Sequence, residues 1–468
     1  MDTIWRPEIL EGIKPKYKSV VAAIRSAIEA GELGPGDRLP PVRELGWHLK
    51  MTPGTVARAY TILTDEGVLN AEVGRGTFVA SHQARPADGL LEIDVSPHNG
   101  PKETYRVNLF SPSLPNIGQP ELVRRAMMQV AQDPPSGLMH YPSRAAQRPA
   151  REAAVQWLAG TPLGPLVEQD IVLTHGGQSG IGLTFQAILT GRKPFILIEE
   201  LAYPGFRRAA ELLRAEVVPV PMDSDGIIPE ALEEAALTHG AQVLCTSPEV
   251  HNPTVVFTSL ARRKQIVAVA RKTGMQIIED DCYRMGATRA PTYRMLAPER
   301  GWYVSSIAKT LTPALRLGFA IAAENRTADL RRAAEHGFFG LATPLTDMAA
   351  LLLADPAVHE MTLSARDIYA TYLACAQRVL SGYDLSVNAE VPFMWLKLPI
   401  GWRAGAFCQA ADAVGVQIRS AEEFAARDGR VPHAVRLAVN AMVGLTSFEQ
   451  AMVRLRALLD SPPEEIGV

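Results

Sequence analysis

Residues 302–318 read Trp-Tyr-Val-Ser-Ser-Ile-Ala-Lys-Thr-Leu-Thr-Pro-Ala-Leu-Arg-Leu-Gly. The run 302–306 has the length and composition of a buried strand, and Lys309 stands just past its end. A lone lysine is most often a solvated surface cation. Here Ser306 lies three residues before it and Arg316 seven after it, which sets anion donors beside a primary amine. An aldehyde cofactor that carries a phosphate needs that combination: an amine for a Schiff base and donors for the dianion.

Further β-like runs lie outward from this stretch, at 171–174, 195–199, 217–220, 243–246 and 276–279, separated by helical patterns. Strands alternating with helices predict a mostly parallel sheet covered on both faces. Ligands bind such sheets at the carboxyl ends of the strands, and the chemically interesting residues sit there. Glu279-Asp280-Asp281 closes one run. Three successive acids also suit a solvated loop, but a carboxylate such as Asp280 can keep a pyridine nitrogen protonated. Tyr283, and Asn252 of His251-Asn252-Pro253-Thr254, are placed to donate to the phenolic oxygen of the same ring, although Asn-Pro is also a common turn. Gly176-Gly177-Gln178 opens a helix, whose first amides bind phosphate. Tyr203, in a Tyr-Pro-Gly turn, offers a ring to stack on the cofactor.

The N-terminal 80 residues are punctuated differently. Val20, Ile24 and Ile28 form a helical stripe that Gly31 ends; Val42, Leu45 and Leu49 form a second. Thr52-Pro53 starts a third helix with Val56, Tyr60 and Leu63 buried. Two short strands follow, around a Gly74-Arg75-Gly76 turn. This is the order of a winged helix-turn-helix. Thr52, Gly54, Thr55 and Arg58 face outward on the third helix and suit a major groove, with Arg75 at the wing tip for the minor groove. Arg38, Arg43, Lys50 and Arg58 against Glu44 give a local charge of +3, yet residues 1–80 hold ten basic and ten acidic residues. On charge alone, a small helical domain with solvated arginines fits equally well.

The whole chain has 468 residues, 47 Lys and Arg, 50 Asp and Glu, and hence a formal net charge of −3. That excludes a disordered chain and a highly basic packaging protein, but not a local DNA-binding face. No apolar stretch approaches the roughly 18 residues needed to span a bilayer. The start, MDTIWRPEIL, lacks the basic and apolar regions of a secretory signal. Cys245, Cys282, Cys375 and Cys408 are too far apart for a CxxC metal or redox site. A cytoplasmic protein with free thiols, no metal site and no membrane partner is expected.

Two resemblances add to these readings. Gly31–Val79, with its L-P-x-x-R-x-L entry, T-V-x-R-A-Y helix, E-G-V-L turn and G-x-G-T-F-V wing, resembles the DNA-binding domain of GntR-type regulators. It implies an operator bound by a dimer, with Arg38, Arg43, Thr52, Thr55, Arg58 and Arg75 toward the DNA. From about 107 to 460 the motifs resemble the class I/II aminotransferases of pyridoxal-phosphate fold type I. That resemblance implies Lys309 as the lysine bound to pyridoxal 5′-phosphate (PLP), Asp280 at the pyridine nitrogen, and Asn252 and Tyr283 at the phenolic oxygen. It further implies phosphate contacts from Gly177, Gln178, Ser306 and Arg316, a stacking Tyr203, and Tyr141 reaching the phosphate of a partner subunit. Arg436 would clamp an effector carboxylate. Three positions depart from the pattern: Val255 and Ala146 replace glycines, and Ala308 replaces a serine.

The two parts joined resemble the MocR-type regulators. The expected architecture is α/β: a winged helix-turn-helix (1–80), a linker (81–105) and a fold-type I aminotransferase-like domain (106–468). The last has a large subdomain, about 106–345, and a smaller C-terminal α+β subdomain, about 346–468. The expected function is a PLP-dependent transcriptional regulator that senses an amine or amino-acid-like effector through external aldimine formation at Lys309. The expected assembly is a homodimer, in a head-to-tail arrangement. The complete set Lys309, Asp280 and Arg436 keeps an active aminotransferase open as the alternative.

Overall fold

A computed structural model of the chain describes residues 5, 16–34, 36–65, 68–72, 76–79, 106–132, 134–135, 137–426 and 431–461. The chain divides into two units, residues 1–95 and 96–468. The expected linker 81–105 and Arg75 lie outside the described residues.

In the first unit, helices Lys16–Glu29, Val42–His48 and Pro53–Asp65 precede an antiparallel pair of strands, Leu69–Glu72 and Gly76–Val79. The apolar stripes meet in one cluster that includes Val20, Ile24, Leu45, Val56, Leu63 and Val79. Tyr60 is buried in it and donates its hydroxyl to the Pro40 carbonyl at 2.8 Å, so the one polar group of the stripe is satisfied. Arg38 bridges to Phe78, which fastens the entry to the second helix onto the wing.

The second unit is built on a seven-stranded sheet. Its order is Ile171–Thr174, Gly318–Ile321, Gly301–Ser306, Gln276–Asp280, Val243–Thr246, Phe195–Glu199 and Glu216–Val220. All neighbours are parallel except Gly318–Ile321, which runs antiparallel to both of its partners. Ile198, Cys245, Ile278 and Val304 pack on one face, and Leu197, Leu244 and Ile277 on the other. Burial on both faces explains why these runs read as continuously apolar rather than alternating.

A smaller antiparallel sheet joins Leu385–Val387, Phe393–Lys397, Ala434–Ala438 and Arg419–Ser420. The helices Pro356–Val379, Ala404–Ala413 and Leu445–Asp460 complete this C-terminal part. The short strand Val107–Asn108 pairs parallel with Val416–Gln417, and Val107 and Leu109 are buried in the cluster of the C-terminal part. The start of the unit therefore packs with its end. Among the described residues, no helix is long and apolar enough to cross a membrane.

Candidate functional site

Strand alternation sorts the three consecutive acids. Glu279 turns to the buried Arg263, 3.7 Å away, and accepts the Tyr293 amide at 2.7 Å. Asp281 accepts from Arg284 Nε at 2.8 Å and from the Tyr303 hydroxyl at 2.7 Å. Asp280, between them, is buried with no cation in ion-pair range among the described residues; its Oδ1 accepts the Cys282 amide at 3.1 Å. Burial, with Asp281 beside it, pushes its carboxyl up to about 6. Of the three, Asp280 alone lacks a cation, which is the state expected of a carboxylate that awaits one.

Lys309 follows the strand Gly301–Ser306, and its Nζ lies 5.3 Å from the centroid of the Tyr283 ring. Tyr283 in turn meets Phe393 edge-on at 5.2 Å. The helix Gly176–Ile188 begins beneath this group. A Cβ on Gly176 would lie 2.9 Å from Arg316 Nη2; one on Gly177 would lie 2.4 Å from Cys282 Sγ and 4.0 Å from Ser306 Oγ. The two glycines thus let a guanidinium, a thiol and a hydroxyl approach the first turn of the helix, and the helix amides with the guanidinium and hydroxyl are donors that suit a phosphate. Gln178 turns partly aside: its Nε2 donates to the Gly205 carbonyl at 2.9 Å, while its buried Oε1 has no partner. Tyr203 packs edge-on against Phe206, and burial raises its phenol far above the ordinary range.

Asn252 and Arg436 are buried together. Arg436 Nη1 donates to Asn252 Oδ1 at 2.8 Å, leaving Asn252 Nδ2 and Arg436 Nε buried without partners. The guanidinium lies 5.3 Å from the Phe393 ring centroid and 5.0 Å from that of Phe424. Burial pulls it down to about 10, so it is still a cation at neutral pH. Two orphaned donors in one buried place are costly unless a ligand satisfies them. Just after Asn252, Val255 adopts φ 58°, the left-handed region, at the position where the sequence departs from a family glycine.

The residues present fit a pyridine aldehyde with a phosphate: an amine at Lys309, a cation-free carboxylate at Asp280, a spare donor on Asn252, and Arg316 and Ser306 gathered at the glycine-led helix start. Tyr141 is not brought to this group within the chain. It is 87% exposed and leans on Phe339, 6.3 Å between ring centroids. In the first unit, Arg38, Arg43, Thr52 and Arg58 are exposed and Thr55 is half-buried. The Thr52 and Thr55 hydroxyl oxygens lie 2.9 Å apart, and the Arg58 guanidinium lies 4.5 Å from the Tyr17 ring centroid.

Sequence reasoning missed five participants. Cys282 fills the space beside Gly177, and only its place between Asp280 and Tyr283 hinted at this. Thr246 donates to the buried Glu199, whose carboxyl burial pushes up to about 7. Phe110 and Arg419 flank Arg436, and no motif marked either of them.

Residues 112–451 match the family described as aminotransferase class I and II, and residues 16–79 match the bacterial regulatory proteins of the gntR family. The chain is 28% identical over 460 residues to the HTH-type transcriptional regulator YdeF of Bacillus subtilis, covering 97% of each. It is 29% identical to the vitamin B6 salvage pathway transcriptional repressor PtsJ of Salmonella typhimurium, over 86% of this chain and 89% of that protein. An archaeal alanine:glyoxylate aminotransferase superposes with a TM-score of 0.68 at 20% identity, over 77% of this chain and 92% of that one. At that identity the likeness shows the fold.

Proposed function

The chain belongs to the class I and II aminotransferases, with a gntR-family domain ahead of that part in the MocR-type order, and on this premise we propose that it is a pyridoxal-phosphate-dependent transcriptional regulator. The observation that carries the reading is that Lys309, Asp280 and Asn252 stand at or just past the ends of parallel strands, with Arg436 of the smaller sheet hydrogen-bonded to Asn252, in a chain that also has a winged helix. Lys309 is the residue that would hold the cofactor, with Asp280 against its pyridine nitrogen and Asn252 and Tyr283 toward its phenolic oxygen. The amides of Gly177 and Gln178, with Ser306 and Arg316, are the donors for its phosphate. When bound, the cofactor supplies an electrophilic aldehyde carbon that captures a primary amine.

The protein's own residues then select which amine is captured. Arg436 is a buried cation whose Nε has no partner, and it favours an effector that carries a carboxylate or another compact anion. An effector that makes these contacts in only one arrangement of the second unit shifts the population toward it, and the DNA affinity with it. Effector and operator must then change each other's affinity by the same factor. Tyr141, exposed in the single chain, fits a homodimer in which it reaches the partner's site, and a head-to-tail dimer is the arrangement we favour.

An active aminotransferase with an auxiliary DNA-binding domain is the competing reading, because Lys309, Asp280 and Arg436 are all present. Two measurements separate them. The regulator should show an absorbance band near roughly 400 nm that an amine shifts, and gel mobility of operator DNA that responds to the same amine. Steady-state amino transfer to a keto acid at several per second would refute a purely regulatory role.

A further inference from the structure

Arg436 does not wait for its ligand with an empty hand. Its Nη2 donates to the main-chain carbonyl of Phe110, and Arg419 Nε donates to the same oxygen at 3.0 Å. Two guanidinium groups thus converge on one neutral oxygen. Arg419 is itself neutralised, since its Nη1 pairs with Glu423; its guanidinium also stacks over the Phe110 ring, 5.1 Å from the centroid. Arg436 pairs with no carboxylate among the described residues.

The segment that bears this oxygen is laid against the same small sheet. The Val107 amide donates to the Gly415 carbonyl at 2.8 Å and the Leu109 amide to the Gln417 carbonyl at 2.8 Å. The Ala438 amide donates to the Leu109 carbonyl at 2.9 Å. Ala438 ends the strand that carries Arg436, and the pairing resumes at Ser113, whose amide donates to the Val439 carbonyl at 3.1 Å and whose carbonyl accepts the Ala441 amide at 3.0 Å. Between these anchors the Phe110 carbonyl is held by side chains, one of them a buried cation. A carboxylate brings a full negative charge and two oxygens that a guanidinium can grip bidentately, which a single carbonyl cannot match.

We propose that the Phe110 carbonyl is a resident stand-in for an effector carboxylate: an anionic effector displaces it from Arg436 and frees residues 107–113. Arg419 is the positioning residue that keeps the stand-in in place. This rests on reading the site as an effector pocket, and it adds the effector's chemical class and the first part of the chain to respond.

The test uses the full-length protein loaded with pyridoxal 5′-phosphate and amines that differ only in a carboxylate: ethylamine against L-alanine and β-alanine, and isopentylamine against L-leucine. Binding is read from the absorbance band and, separately, from amide hydrogen exchange in peptides spanning 107–113. The carboxylated amines should speed exchange there, and the plain amines, at concentrations that shift the band equally, should not. Arg419→Ala should tighten the apparent affinity for the carboxylated amines by about tenfold, the worth of one charged hydrogen bond, and leave the plain amines unchanged. Phe110→Ala, which removes the stacked ring and keeps the carbonyl, should act in the same direction.

A band shift by a carboxylated amine with unchanged exchange at 107–113 overturns this inference and leaves the effector reading standing. Weaker binding of carboxylated amines to Arg419→Ala also overturns it, because Arg419 would then be a ligand of the effector. Absence of any band shift across the panel sinks the effector reading, and this inference with it.

Discussion

Asp280→Asn should make the ligand-free protein more stable, in a pH-dependent way that can be worked out in advance. Asp280 is buried and its carboxyl is raised from the ordinary 3.8 to about 6. At pH 3 and below it is mostly protonated in the folded and unfolded states alike, and Asn should be nearly neutral in effect. Between 3.8 and about 6 the folded state keeps a proton that the unfolded chain releases, so stability from this group is lost as pH rises through that window. At about 1.4 kcal/mol for each pH unit separating the two values, the wild type should be about 3 kcal/mol less stable than the variant by pH 8. The Cys282 amide, which bonds Oδ1, still finds an oxygen in asparagine. Denaturant midpoints at pH 4 to 8, followed by fluorescence of the buried Trp302 and Trp395, measure the difference directly. The same variant should lose affinity for pyridoxal 5′-phosphate, because a neutral amide cannot hold a pyridinium proton. A stability difference that does not change with pH, or a wild type more stable at pH 8, would show that Asp280 already has a cationic partner.

Other outcomes follow from single contacts. Lys309→Ala should abolish the band at roughly 400 nm while circular dichroism stays unchanged, since it removes the amine and its contact with the Tyr283 ring and leaves the strand before it intact. Gly177→Ala should weaken cofactor binding, because the new Cβ would lie 2.4 Å from Cys282 Sγ, and Cys282→Ala in the same chain should restore it. In gel shifts, Arg43→Ala should weaken operator binding without moving the thermal midpoint of the first unit. Arg58→Ala should do both, with a stability loss of about 0.5–1 kcal/mol for the contact with Tyr17.

The parallel strands were legible because burial on two faces leaves an unbroken apolar run, and 195–199 and 243–246 end where they were read to end. Gly318–Ile321 was not read, although it is the strand that turns the sheet antiparallel beside Ile171–Thr174. It follows Arg316 so closely that its four residues look like the tail of the lysine motif. The candidate site was legible wherever a residue type and its spacing imply a task, as for Lys309 with Ser306 and Arg316. It was not legible where the task belongs to the main chain. The Phe110 carbonyl would be there with almost any side chain, and the partition of Glu279, Asp280 and Asp281 depends on Arg263, which only the fold brings near, as well as on Arg284, three residues past Asp281.

Val255 holds a branched side chain in the left-handed region, where an L-residue costs about 1–2 kcal/mol. It is 7% exposed and packs in one cluster with Val250, Val391, Phe393 and Ala438. Phe393 and Ala438 belong to the smaller sheet, and Ala438 ends the strand that carries Arg436. A glycine there would let the Asn252 loop flex independently of that sheet. With valine, the loop is braced like a bent spring against the sheet it faces: withdrawing the sheet would expose the side chain and release the strain in one movement. Asn252 and Arg436, already joined by a hydrogen bond at 2.8 Å, should therefore shift together whenever the smaller sheet moves.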